Sequence, residues 1–271
     1  MRIRYLSQYY PPEPGAPAAR VQGLSRYWVS QGHSVQVVTG FPNHPTGVIR
    51  EPWRGQWKAR EEDEGVEVLR NWLWALPNKS IRHRLLSQAS YAASASTLGL
   101  ARCNEADVMI ATSPSIFTGA AGILHNRAQG VPFILEIRDL WPQLFVEMGM
   151  IKNPAAIALC NLLEKSLYQQ ADLIVTVTNR FRKIICERGI PEDRVKVIHN
   201  GVEMQRFKPD TELRETVRSQ WGLEDKFVVS YVGTHGVLHR LELLLDVAAR
   251  LQSDPKFHIL FVGDGAEKSK L

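Results

Sequence analysis

What most constrains this chain is a repeated alternation of two kinds of run. Residues 3–6 are apolar, a loop rich in Pro and Gly follows, and residues 18–31 carry Val21, Leu24, Trp28 and Val29 at helical spacing. Gly32 and His33 end that run, and residues 34–39 read as a second strand. The same order returns: strands at 66–72, 107–112, 132–137, 172–178 and 194–199, with helices at 85–101, 116–129, 154–170 and 180–188. The helix at 154–170 shows an apolar face through Ile157, Leu159, Leu163 and Leu167. Roughly seven strand–helix alternations in about 200 residues predict an α/β fold, a doubly wound and mostly parallel sheet.

After residue 202 the pattern breaks. Residues 203–225 are polar and charged, with a helix expected at 213–220, and read as a linker. A fresh cycle follows in 226–271: a strand at 227–232, a helix at 241–251 and a strand at 257–262. Two strands and one helix do not cover both faces of a parallel sheet, so 226–271 reads as the incomplete start of a second domain.

Composition excludes several classes. At 44% hydrophobic and 23% charged, the 271 residues are those of an ordinary globular protein. The net charge of +5 suits anionic partners such as nucleotide phosphates or acidic lipid. Nucleic acid is not expected, because the basic residues form no dense stripe with interleaved aromatics. Cys103, Cys160 and Cys186 lack zinc spacing and read as buried thiols of a reducing compartment. The chain enters its first strand without a signal peptide, so a cytoplasmic location is expected.

Loops after parallel strands are where open α/β sheets bind ligands. Gly15 stands just before the first helix, where free N–H groups and the helix dipole favour an anion such as a diphosphate. The alternative is a Pro-stiffened surface turn. That loop has no Gly-x-Gly-x-x-Gly and the second strand ends without an acidic residue, which argues against a dinucleotide dehydrogenase. In residues 40–47, Asn43, His44 and Thr46 stand between prolines and glycines; His44 would polarise a substrate hydroxyl or cap a turn. Residues 48–65 read as a long excursion, with Glu61, Glu62, Asp63 and Glu64 as a solvated turn. No Asp-x-Asp closes a strand, so no metal is implied. Residues 72–103 set Trp72 and Trp74 beside Lys79, Arg82 and Arg84, which suits either a membrane surface or an Ala-rich helix packed on the sheet. Arg138, Asp139 and Trp141 emerge from a buried strand into a loop. They read as a catalytic face, or as an Arg138–Asp139 pair that fixes the loop.

Several stretches together carry a family resemblance: Pro-Pro-Glu-Pro-Gly15-Ala-Pro-Ala-Ala-Arg20, Gly40-Phe-Pro-Asn-His-Pro-Thr-Gly47, Arg138-Asp139-Leu-Trp-Pro142, Asn200-Gly201-Val202 with Phe207 and Pro209, Tyr231-Val-Gly233, and Val262-Gly-Asp-Gly265. The chain resembles family 4 of the nucleotide-sugar glycosyltransferases, retaining enzymes of two facing Rossmann-like domains (the GT-B fold). It is similar to the bacterial enzymes that add N-acetylated amino sugars, fucosamine among them, in O-antigen, capsule and colanic acid synthesis. The resemblance implies an acceptor-side domain at 1–202 and a donor-binding domain beginning at 226. It implies a UDP-sugar donor, a lipid-linked saccharide acceptor, no metal or cofactor, and peripheral contact with the inner membrane's cytoplasmic face through 72–103. Donor contacts fall on Gly15, Arg20, Gly233, Thr234, His239, Arg240 and Gly263. Asp139 falls at the catalytic position, with Arg138 where the family often has His. Asn43, His44 and Trp141 fall on the acceptor side. The family's paired glutamates belong further along than this sequence runs, which leaves a partner subunit or an inactive remnant as alternatives, beside a nucleotide-sugar epimerase.

Overall fold

A computed structural model describes the chain except residues 45, 77–80, 114, 150, 205–206, 237–238 and 266. It divides into two compact units, Met1–Gly201 and Val202–Leu271.

The first unit is built on one eight-stranded sheet. Its strands are β1 (Arg2–Leu6), β2 (Ser34–Gly40), β3 (Lys58–Asp63), β4 (Val66–Asn71), β5 (Val108–Thr112), β6 (Phe133–Ile137), β7 (Leu173–Thr176) and β8 (Val195–Val197). They lie in the order β3-β4-β2-β1-β5-β6-β7-β8, all parallel except the antiparallel pair β3–β4. Because strand side chains alternate, each central strand feeds two cores. Ile3, Tyr5, Val35, Val37, Val66, Val68, Val108 and Ile110 join one. Leu6, Val38, Leu69, Met109, Ala111 and Leu135 join the other. Helix α1 (Ala16–Ser30) covers the first face through Val21, with Trp28 placing its ring 5.6 Å from that of Tyr5. Helices α2 (Ile81–Ser94), α3 (Ile116–Gln129) and α5 (Pro154–Gln170) cover the second through Tyr91, Ile116, Ala121 and Leu167. The short α4 (Gln143–Glu147) follows the Trp141–Pro142 turn, and α6 (Asn179–Glu187) lies between β7 and β8.

Two expectations are corrected here. Part of the 48–65 excursion is the edge strand β3, which takes in Glu61, Glu62 and Asp63 of the acidic run, while Glu64 stands exposed in the turn that follows. Its carboxylates have distant cationic partners: Glu61 pairs with the buried Arg70 at 2.8 Å, and Asp63 with Arg26. Asp63 also accepts from Tyr10 at 2.6 Å and Gln22 at 2.9 Å. On α5 the buried set is Glu164, Leu167 and Tyr168, whereas Leu159 and Leu163 are exposed. The anchoring stripe is therefore rotated from the one apolarity alone selects.

The second unit holds α7 (Thr211–Gln220), β9 (Phe227–Val232), α8 (Glu242–Arg250) and β10 (Phe257–Val262). Asp210 caps α7 by accepting from the Leu213 N–H at 2.9 Å. Strands β9 and β10 pair in parallel from Phe227↔Phe257 to Val232↔Val262. No helix among the described residues is long and apolar enough to cross a membrane.

Candidate functional site

Strand order places the loops after β1, β2, β5 and β6 along one edge of the first sheet. The order reverses between β1 and β5, the switch point at which such sheets open a crevice.

Gly15 is the N-cap of α1, at φ 116°, and no side chain caps the helix. A residue with a Cβ is strained at that φ, so glycine holds the turn. Two residues upstream, Glu13 is buried, and one carboxylate oxygen accepts from the backbone N–H of both Asn43 and His44 at 2.8 Å. The first loop therefore grips the second. The Asn43 amide closes its own turn by donating to the Phe41 carbonyl at 2.9 Å. His44 stands edge-on to Tyr9, ring centroids 6.1 Å apart. Burial, and next the Arg84 charge, hold its imidazole below its ordinary pKa, which leaves it neutral at pH 7. Gln8, Tyr9, Asn43, His44, Leu76, Arg84 and Ser87 line one cleft.

Burial pushes the Glu13 carboxyl up from 4.5 to about 7, although the two N–H donors pull it down. Between those values the folded chain holds a proton that the unfolded chain has lost. Glu13 thus contributes a stability that falls as pH rises from about 4.5 to about 7, by roughly 3 kcal/mol, and is level above. Glu13→Gln keeps an acceptor for both N–H groups but does not ionise. We expect it to remove this slope, seen as a smaller difference between urea midpoints at about pH 5 and about pH 8. An unchanged slope would place the titration elsewhere.

Beyond β6, the backbone N–H of Arg138 donates to the Ser113 hydroxyl at 2.7 Å, and that of Asp139 reaches the same oxygen at 3.4 Å. Ser113 thus fixes the turn, and no Arg138–Asp139 ion pair forms. Arg138 Nε and Nη1 are buried without a partner among the described residues. Asp139 lines a second cleft with Ser113, Ser115, Trp141, Glu164 and Tyr168. Trp141 is buried, its ring 5.1 Å from Phe145 and its indole nitrogen without a partner among the described residues. Phe145 also lies under Arg84, whose guanidinium carbon is 5.3 Å from the ring centre, so it stands between the two clefts.

Arg20 is engaged within the first unit. It pairs with Glu136 at 2.8 Å, with only 7% and 4% of the two side chains exposed. It also donates to the carbonyls of Ile198 and His199 and to the Asn200 side chain. Tyr5 donates to the other Glu136 oxygen at 2.7 Å. Of residues 72–103, Lys79 lies outside the described residues, Trp72 stacks on Trp57 at 5.3 Å, and Trp74 is exposed.

In the second unit the loops after β9 and β10 touch. A Cβ on Gly263, at φ +155°, would fall 1.8 Å from the Gly233 carbonyl oxygen, so only glycine allows the approach. The Thr234 carbonyl accepts from the Tyr231 hydroxyl at 2.9 Å. His239 stands edge-on to the Tyr231 ring at 5.9 Å, and Arg240 pairs with Glu242. Residues 237–238 of this loop lie outside the described residues. Sequence reasoning missed His235. Its N–H donates to the Asp264 carbonyl at 2.9 Å, and its buried imidazole, near the Tyr231 and Phe261 rings, has neither nitrogen paired among the described residues. It also missed Glu13 and Glu136; the signal was a lone acid among prolines in one case and within an apolar strand in the other. Among the described residues no group of three His, Cys, Asp or Glu could hold a metal ion.

Comparison with known proteins adds a family and a fold. The glycosyl transferase 4-like domain family matches residues 15–201. WcaI of Escherichia coli K12, named for a colanic acid biosynthesis glycosyl transferase, is 26% identical over the whole chain, which spans 68% of WcaI. The structure of Anabaena HepE in complex with UDP superposes with a TM-score of 0.64 at 16% identity, over 100% of this chain and 63% of HepE. A UDP-N-acetylglucosamine 2-epimerase from Rickettsia bellii gives 0.54 at 12% identity, over 100% of this chain and 63% of that one. The chain thus spans about two thirds of the length of these proteins, and its mixed α/β fold is that of GT-B glycosyltransferases.

Proposed function

The chain belongs to the glycosyl transferase 4-like domain family, and from that premise we propose that it moves a sugar from a UDP-sugar to a hydroxyl of a lipid-linked saccharide, with retained stereochemistry, in cell-surface polysaccharide synthesis. The observation that carries this reading is the turn after β6. It places Asp139 in the lining of a crevice and, one residue before it, buries two guanidinium nitrogens of Arg138 that have no partner among the described residues. Buried donors without partners are costly unless a ligand or water meets them, and a reacting sugar with a leaving diphosphate offers oxygens to meet them.

In this reading Asp139 contacts the transferred sugar and Arg138 meets charge developing on the diphosphate. The free N–H groups after Gly15 serve the same anion. Gly233, Thr234, His239, Arg240 and Gly263, with His235 added, belong to the donor side. Asn43, His44 and Trp141 face the acceptor. The sugar is an N-acetylated amino sugar, and the step includes no metal ion. Exposed Trp57, Trp74 and Arg82 supply the peripheral membrane contact.

Product analysis tests this. With a UDP-sugar and a lipid-linked acceptor, UDP release is expected only when the acceptor is present, and the new glycosidic bond keeps the donor's anomeric configuration. An epimerised UDP-sugar formed without acceptor would replace this reading with that of an epimerase.

A further inference from the structure

Two groups at the cleft after β1 and β2 call for a particular ligand. Gln8 is 4% exposed, and its side-chain oxygen has no partner among the described residues. That atom calls for a hydroxyl or N–H donor. Arg84 lies over the Phe145 ring and has no carboxylate partner among the described residues. Its N–H groups call for an oxyanion. The remaining lining adds the Ser87 hydroxyl, the Asn43 amide, His44 and Tyr9. Burial and the Arg84 charge keep His44 neutral, and burial pushes the Tyr9 phenol up to about 12, so neither brings a negative charge at pH 7. Glu13, the carboxylate whose charge acts on Tyr9, is taken by the Asn43 and His44 N–H groups and is not in the lining.

We propose that this cleft binds an anionic saccharide, with Arg84 pairing its phosphate or carboxylate and Gln8 accepting from one of its hydroxyls. The inference rests on the reading of the cleft as the acceptor side. It moves Arg84 from the membrane surface, where the basic–aromatic sequence points, into the site itself. Arg84 is then a specificity determinant: a neutral saccharide of the same length leaves a desolvated guanidinium without a counter-charge.

Calorimetric titration of the full chain, with UDP present in excess, tests this with three probes: octyl diphospho-N-acetylglucosamine, octyl glucuronide and the neutral octyl N-acetylglucosaminide. At least one anionic probe is expected to bind about tenfold more tightly than the neutral one. The one preferred tells phosphate from carboxylate. Arg84→Gln should bring the ratio to within about twofold, and Arg84→Lys should keep most of it. Equal binding of all three probes, no binding of any, or a preference unchanged in Arg84→Gln would overturn the proposal. So would an Arg84→Gln variant that loses binding to phosphatidylglycerol vesicles but keeps its probe preference, since Arg84 would then serve the membrane. If His44→Ala weakens all three probes while Arg84→Gln weakens none, the acceptor-side reading stands and this inference alone fails. If His44→Ala weakens none, the acceptor-side reading fails with it.

Discussion

Replacing Asp139 by Ala is expected to lower kcat of the protein carrying this chain by about 10²–10³-fold or more, the scale of losing one preorganised polar group at a reacting centre. The expectation comes from what Asp139 does not do in the fold. Its backbone is held through Ser113, and it makes no ion pair among the described residues of the first unit. Truncating it therefore leaves the turn and both cores in place. The loss should appear in kcat, with unchanged thermal unfolding and circular dichroism. Asp139→Asn separates charge from shape: a loss as deep as that of Ala assigns the effect to the carboxylate charge. Near-normal turnover of Asp139→Ala would remove it from the reaction.

The second large effect is on stability. Arg20→Met should destabilise the first unit by about 3–5 kcal/mol, the cost of leaving one member of a buried pair uncompensated. Among the described residues Glu136 would keep only the Tyr5 hydroxyl as a side-chain partner, and the carbonyls of Ile198 and His199 would lose the Arg20 donor. Urea unfolding measures the loss. The double variant Arg20→Met, Glu136→Met should recover part of it, because two apolar side chains leave no buried charge behind. A loss below about 1 kcal/mol would show that the pair does not hold α1 to β6. Arg20 would then be open to the donor contact that the family resemblance assigns it.

These two residues also show what a sequence can carry. The α/β alternation was legible because parallel strands buried on both faces become short apolar runs, as in β5 and β6, and because the covering helices keep their period. Loop positions followed from strand ends, which put Gly15, Asn43, His44 and Arg138–Asp139 at one edge. Strand β3 was not legible, since Glu61 and Asp63 are neutralised by Arg70 and Arg26, and Asp63 is also hydrogen-bonded by Tyr10, all from other elements. A run of acids shows its charge in sequence but not its partners. Glu13, Glu136 and His235 failed for the same reason: a buried polar group is defined by what meets it, and its contacts come from residues far along the chain. Arg84 was legible as a cation, whereas its place in a cleft depends on how α2 sits against the loop after β2.

Strand β3 has one more property. A sheet of parallel strands ends in rows of unpaired N–H and C=O groups, a template for any extended segment of another molecule. At one end of this sheet stands β3, with exposed Lys58, Arg60 and Glu62 alternating along it. At the other stands β8, only three residues long. One border repels an incoming strand by charge and the other offers too little length to hold it. The same alternation that turns Glu61 and Asp63 toward partners in the fold thus leaves Lys58, Arg60 and Glu62 to guard the border against self-association.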